Sequence, residues 1–375
     1  MKTKGAILWE FNQPWSIEEI EIGDPHRDEV KVQMEAWGMC HSDHHLVTGD
    51  MPMLGFPVLG GHEGAGIITE VGPGVEGLAP GDHAVFSFIP SCGVCPSCRA
   101  GMSNLCDLGA GLLGGASISD GTHRVQARGQ NVYTMTLLGT FSPYVVAHKS
   151  SVVKIDPSIP FEVACLVGCG VTTGYGSATR AADVRPGDDV AVIGVGGVGM
   201  AALQGAVNAG ARRVFVVDPV DWKRNAAMKF GATHAYPDIA TATAAIAELT
   251  HGLMTQKVIV TVGQAKGEDV DSYLAITAKG GTCVVTAVGN MFDNQTTLNL
   301  SMLTLLQKTL RGTIFGSCNP QHDIPLLLSM YQAGRLNLDD MITAQYPLER
   351  INEGYQDMLS GKNIRGIIRY SDADR

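Results

Sequence analysis

Val190-Ala191-Val192-Ile193-Gly194-Val195-Gly196-Gly197-Val198-Gly199 is the stretch on which the fold turns. An apolar run ends in a G-x-G-x-x-G turn, and the spacing predicts a helix over 200–209. A second apolar run, 214–217, ends in Asp218, 19 residues after Gly199. Alone, six such residues carry little information, because an ordinary strand–helix turn can contain them. A strand before them, a helix after them and an acid closing the next strand are what a dinucleotide-binding turn requires. Gly194 then lets the chain turn, Gly196 and its neighbour Gly197 admit a pyrophosphate close to the backbone, and Gly199 lets helix and strand pack. The helix start offers free N–H groups and the positive end of its dipole to the phosphates. Asp218 is expected to accept hydrogen bonds from the adenosine ribose and to repel a 2′-phosphate, which favours NAD over NADP.

Outward from this turn, apolar runs at 258–262 and 282–288 alternate with helical stretches, the pattern of right-handed crossovers and a parallel sheet. Ahead of Arg185-Pro186-Gly187-Asp188 the texture differs. Short runs at 29–36, 64–71 and 83–88, broken by Gly and Pro, predict a mainly antiparallel domain. From about residue 314 a helical stretch (324–333) and a closing strand (366–370) follow. The 375 residues suit two domains at ~150 residues each. The formal net charge is −10 with no basic run, which argues against nucleic acid or an anionic membrane as partner. Residues 190–211 are uncharged and long enough to span a bilayer, but their six glycines favour a buried strand, turn and helix. The first residues hold no sustained apolar core of the kind a secretory signal needs, so the cytoplasm is the expected compartment.

Nine cysteines are present, four of them crowded as C-x2-C-x2-C-x7-C at Cys92, Cys95, Cys98 and Cys106. Without an export signal this spacing points to metal rather than disulfides. Four thiolates can close around one tetrahedral zinc, leaving no open position and tying down a loop without its own core. An iron–sulfur cluster also takes four cysteines, but its usual continuation, C-x3-C-P, is missing here.

Three further segments carry ligand chemistry: Gly38-Met39-Cys40-His41-Ser42-Asp43, Gly60-Gly61-His62-Glu63 and Gly168-Cys169-Gly170. Singly, each reads as well as a small core cysteine or a satisfied interior histidine. With Asp120-Gly121-Thr122, the run Cys169 to Gly176, the G-V-G-G-V-G turn and the closing Gly361-Lys362-Asn363-Ile364-Arg365, the chain resembles the zinc-dependent medium-chain alcohol dehydrogenases nearly end to end. The resemblance implies an α/β fold: a GroES-like, mainly antiparallel catalytic domain over 1–170 with both zinc sites, a Rossmann doubly wound NAD domain over 171–313, and a return to the catalytic domain over 314–375. It implies two zinc ions per chain. Cys40, His62 and Cys169 would bind the catalytic one, with Asp43 and Glu63 as supporting carboxylates. Ser42 would touch the substrate oxygen, and the proton would leave through Ser42, the cofactor ribose and His45. Thr173 and Val198 would back the nicotinamide, while His41, Lys223 and Arg365 would contact the cofactor. Phe88 and Phe141 would line an apolar channel suited to a hydrophobic primary alcohol. His44 has no counterpart and is expected as a solvated loop residue. A homo-oligomer is implied as well.

His41 stands where many relatives carry arginine, which makes that cofactor contact only partly charged near neutrality. Residues 108–119 hold no arginine, which weakens a glutathione-adduct formaldehyde dehydrogenase and leaves a mycothiol-adduct one open. Phe315-Gly316-Ser317-Cys318-Asn319-Pro320, Asp323-Ile324-Pro325 and Ile351-Asn352-Glu353-Gly354-Tyr355 resemble the nicotinoprotein dehydrogenases assayed with N,N-dimethyl-4-nitrosoaniline. In those, NAD stays bound and an external carrier, mycofactocin, reoxidises it. A non-enzymatic NAD- and zinc-binding protein is the reading from another class; the presence of Ser42 and His45 speaks against it.

Overall fold

A computed structural model describes residues 1–375. The chain divides into two compact units, Met1–Cys169 with Asn319–Arg375, and Gly170–Cys318. The second break falls at 319 rather than 314, because residues 315–318 pack against the helix Gly170–Gly176. There the Cys318 thiol lies 3.6 Å from the Thr172 carbonyl.

In the first unit, Lys2–Leu8, Ser16–Ile22, Val125–Ala127, Gln130–Thr134 and Val58–Leu59 close a small barrel. A seven-stranded sheet is built around Glu29–Gly38, which pairs antiparallel with Gly64–Val71, with Tyr144–His148 and with the closing strand Arg365–Arg369. The aromatic core sits between these layers. Phe141 stacks on Trp37 at 4.0 Å and meets Trp15 edge-on at 4.9 Å. Phe141 has no accessible surface. The expectation that it lines a substrate channel is therefore corrected: its ring is spent on the core.

Helix α1 (His41–Thr48) follows Glu29–Gly38 directly and ends at Gly49 in the left-handed region. His44 lies on α1, half-buried, and burial followed by the neighbouring His45 lowers its pKa. It is not the solvated loop residue expected, since the helix carries it against the protein.

The second unit holds six parallel strands in the order His234–Tyr236, Arg213–Val217, Asp189–Ile193, Thr255–Val260, Thr277–Val285, Thr309–Gly312. This is the doubly wound 3-2-1-4-5-6 arrangement. Residues 190–211 form the strand Asp189–Ile193, the turn and helix α2 (Gly197–Asn208). The helix begins inside the glycine turn, earlier than the apolar pattern predicts, because Gly196 is its N-cap. No helix of the chain is long and apolar enough to cross a membrane. In the tail, Pro320–Gln332 also starts early, with Asn319 accepting a hydrogen bond from the Gln321 N–H and proline in the first turn. Helix α3 (Ile351–Leu359) then turns Tyr355 inward beside Phe141.

Candidate active site and metal centres

Cys40, two residues beyond the strand Glu29–Gly38, is the N-cap of α1 and has an extended backbone. The Asp43 carboxylate, three residues on, turns back to accept the Cys40 N–H at 3.1 Å. Its other oxygen lies 2.9 Å from His62 Nδ1. That bond engages one ring nitrogen and leaves Nε2, which is buried and has no hydrogen-bond partner. The Cys40, Cys169 and His62 ligand atoms, with a Glu63 oxygen, lie within 4.8 Å of one another, all on buried residues.

An unpartnered ring nitrogen among buried thiols is costly without a cation and is the expected donor set with one. The two thiols are driven in opposite senses. A hydrogen bond from Cys169 holds the Cys40 thiol well below its usual range, and that bond together with burial pushes Cys169 well above it. Two cysteine sulfurs and one imidazole nitrogen form a three-ligand set with a fourth position to spare, which zinc fits.

Glu63 is held by Arg365, 302 residues away, whose guanidinium Nη2 pairs with Oε2. Burial lifts the Glu63 carboxyl to about 7, with Arg365 pulling the other way. Arg365 itself is 4% exposed. The Tyr355 hydroxyl donates to Asp43 Oδ2 at 2.7 Å. Burial, then the Asp43 charge, hold that phenol well above its ordinary pKa, so it remains a donor. Sequence reasoning missed both partnerships. Arg365 reads as a cofactor contact and Tyr355 only as part of a stretch that resembles the nicotinoprotein dehydrogenases, and nothing local points either at residues some 300 positions away.

Ser42 Oγ, in the first turn of α1, lies 3.6 Å from the Cys40 thiol. His45 Nδ1 lies 3.2 Å from Asp50 Oδ2, which also accepts from Thr48 Oγ1 at 2.9 Å. His41 is the first residue of α1 and half-buried. Phe88 is half-buried too, its ring edge-on to His62 at 5.7 Å.

The second cluster closes on itself. Cys92 and Cys98 sulfurs are 4.0 Å apart, and Cys95 and Cys106 sulfurs 3.9 Å. Tetrahedral zinc with ~2.3 Å bonds separates its sulfurs by about 3.8 Å. Backbone N–H groups of Cys95, Cys98 and Asp107 point at the sulfurs of Cys92, Cys95 and Cys95 respectively. The Asp107 N–H and then the Cys98 N–H draw the Cys95 thiol down to about 7, whereas burial pushes Cys106 up to about 12. Such a set suits a shared cation.

In the second unit the glycine turn is shaped for phosphate. Gly194 has φ +89°, and a Cβ on Gly199 would meet the Gly194 carbonyl. At Gly196 a Cβ would meet nothing within 4 Å, so the space above the turn is open. No side chain caps α2, which leaves the N–H groups at Gly197 and Val198 aimed outward. Asp218 is fixed at the end of Arg213–Val217 by the N–H groups of Val195 and Val220, each at 2.9 Å. Lys223 is nearly buried, and that burial lowers its pKa against the pull of Asp218. Thr173 Oγ1 is buried without a partner.

Comparison with known proteins agrees with this chemistry. Residues 26–157 match the alcohol dehydrogenase GroES-like domain, and 197–333 the zinc-binding dehydrogenase domain. Alcohol dehydrogenase B of Mycobacterium tuberculosis is 76% identical over the full length of both chains. An NDMA-dependent alcohol dehydrogenase of Amycolatopsis methanolica is 48% identical over 99% of this chain and 100% of that one. Among solved structures, benzyl alcohol dehydrogenase from Acinetobacter calcoaceticus superposes with a TM-score of 0.91 at 29% identity, covering 99% of this chain and 100% of that one. With a donor set that zinc fits, a nucleotide-binding turn and relatives matched along their whole length, the chain belongs to the zinc-dependent medium-chain alcohol dehydrogenases, enzymes that pair zinc with a nicotinamide cofactor.

Proposed function

We propose that this cytoplasmic enzyme oxidises a hydrophobic primary alcohol to the aldehyde with an NAD that stays bound through turnover and is reoxidised by an external carrier such as mycofactocin. The observation that carries the alcohol chemistry is the buried His62 Nε2 without a partner, set among the thiols of Cys40 and Cys169. These three residues hold the catalytic zinc, and Cys92, Cys95, Cys98 and Cys106 the structural one. Bound zinc supplies Lewis-acid stabilisation of the charge that develops on the alcohol oxygen, and bound NAD supplies the hydride acceptor.

The chain does the rest. Ser42, beside Cys40, takes up the substrate hydroxyl proton, and His45 passes it on, its ring held by Asp50 at 3.2 Å. Asp43 keeps His62 in the tautomer whose Nε2 is free to ligate. Glu63, paired with Arg365, modulates the charge around the ligands. The half-buried Phe88 ring beside His62 supplies an apolar wall for the substrate, in keeping with the benzyl alcohol specificity in the name of one structural relative. In the second unit Gly194, Gly196, Gly197 and Gly199 cradle the pyrophosphate, Asp218 holds the adenosine ribose, and Thr173 and Val198 support the nicotinamide. His41, Lys223 and Arg365 contribute charge to the cofactor.

The retained cofactor is supported by the 48% identical NDMA-dependent relative. Denaturing the purified, extensively dialysed protein is expected to release about one nucleotide per chain, NAD and not NADP, as Asp218 requires. Less than about a tenth per chain would leave an ordinary dehydrogenase with exchangeable cofactor; NADP would overturn the role given to Asp218.

Self-association is part of the proposal. The strand Thr309–Gly312 lies at the sheet edge with every residue exposed, and Leu300 and Leu305 nearby are 66% and 78% exposed. An open edge beside apolar side chains favours pairing with another copy. Light scattering is expected to give a mass at least twice the 39.6 kDa chain; a monomer at micromolar concentration would refute it.

A further inference from the structure

The supports of the Cys40–His62–Cys169 cluster do not end at Asp43. Asp43 is fully buried, and its carboxylate receives three polar contacts: the Cys40 N–H, His62 Nδ1 and the Tyr355 hydroxyl, at 3.1, 2.9 and 2.7 Å. The first two come from the cluster itself. The third comes from α3, 312 residues along the chain, and it is the shortest.

Tyr355 and His62 engage opposite oxygens of the same carboxylate, so each contact constrains how the other is met. With the hydroxyl present, Asp43 Oδ2 is occupied and Oδ1 is held facing His62. Without it, the Cys40 N–H alone restrains Oδ2, and the carboxylate can swing about its Cβ–Cγ bond. The His62 ring, steered by Nδ1, would swing with it, and Nε2 would lose its fixed aim at the two thiols. The ring of Tyr355 is separately packed, tilted against Trp15 at 6.4 Å and Phe141 at 6.2 Å. The hydroxyl's role is therefore separable from that of the ring.

We infer that Tyr355 is a positioning residue of the catalytic metal site: through Asp43 its hydroxyl fixes the His62 ring and so sets how firmly the metal is held. This rests on Cys40, His62 and Cys169 being metal ligands. Groups that orient a metal-bound histidine through a hydrogen bond commonly change metal affinity by about 10–100-fold. The present one acts a bond further out, so the lower end of that range is expected.

The test is Tyr355→Phe, which keeps the packed ring and removes one oxygen. Metal release from the whole protein to a chromogenic chelator is followed, with the four-cysteine cluster as internal control in the same molecule. The catalytic-site phase is expected to quicken about tenfold, while the four-cysteine phase and the melting curve stay within error. Cobalt substituted at the catalytic site should show a shifted visible spectrum in the variant. In a cycle with Asp43→Asn, the two substitutions should fail to add, because each breaks the same link. Catalytic-site release within twofold of the parent and an unchanged cobalt spectrum would overturn the inference. So would equal acceleration at both sites or a collapsed melt, which would make the hydroxyl a support of the fold. Metal analysis of the parent protein checks the underlying assignment separately: metal at the four-cysteine cluster alone would remove that assignment, whereas metal at both clusters with an indifferent Tyr355→Phe would remove only the role of Tyr355.

Discussion

Cys40→Ala is expected to lower alcohol oxidation by roughly 10³-fold or more in kcat/KM while leaving a folded protein. The thiol is buried in the cluster and removing it leaves His62 and Cys169, too few ligands to hold zinc firmly. Lewis-acid stabilisation of a developing oxyanion is worth several kcal/mol, and each ~1.36 kcal/mol is a decade in rate. The structural cost is small by comparison. Alanine differs by one sulfur; it gives up the half of the α1 capping box that the Cys40 side chain supplies and keeps the other half, Cys40 N–H to Asp43. The variant should therefore melt near the parent while its zinc content falls from about two to about one per chain. Turnover within tenfold of the parent would sink the assignment of Cys40 as a ligand.

Cys98→Ala should show the opposite profile. Its loop contains only the four-residue helix Pro96–Arg99 and the short turn Ser103–Leu105, and Val94, Met102 and Leu105 are exposed at 64%, 47% and 51%. With so little apolar burial, no core can hold this loop, so the metal's binding energy is its folding energy. That energy is about 10–16 kcal/mol in isolated zinc-binding peptides, comparable with the ~5–15 kcal/mol that stabilises a whole domain. The variant should release the segment 92–106 to proteases, lose one zinc, melt many degrees lower and accumulate poorly. The fraction that folds should keep its catalytic zinc and substantial turnover per active site. A variant as stable and protease-resistant as the parent would rule out a structural metal there.

The contrast between the two variants follows from where each cluster sits. Cys40, His62 and Cys169 are buried among elements that would exist without the metal, the sheet strand Glu29–Gly38 and α1 among them. Metal bound there would act as a reagent. The four-cysteine loop has only one short helix and one turn, and metal bound there would be part of the architecture.

Local chemistry explains which features were legible in advance. The G-V-G-G-V-G turn could be read from sequence because its demands are short-range: a positive φ at Gly194, a Cβ-free approach at Gly199 and an uncapped helix start. The four-cysteine cluster could be read for the same reason, since all its donors fall within one loop. Strand and helix existence followed from hydrophobic period, while their ends slipped by a few residues. The cap residues Gly196 and Asn319, more than the apolar pattern, decide where those helices begin.

Tertiary structure alone decided whatever depends on residues distant in the chain sharing one dielectric. Nothing near Arg365 in sequence announces Glu63, and nothing near Tyr355 announces Asp43. Phe141 reads equally well as channel lining or as core until the Trp15 and Trp37 rings are brought against it. His44 reads as a solvated loop residue until α1 is seen to carry it inward. A ligand's identity is written in its own side chain, but its orientation and charge state come from neighbours that only folding supplies. In a buried site an unmade hydrogen bond or an unpaired charge is expensive, so those neighbours decide how the ligands behave.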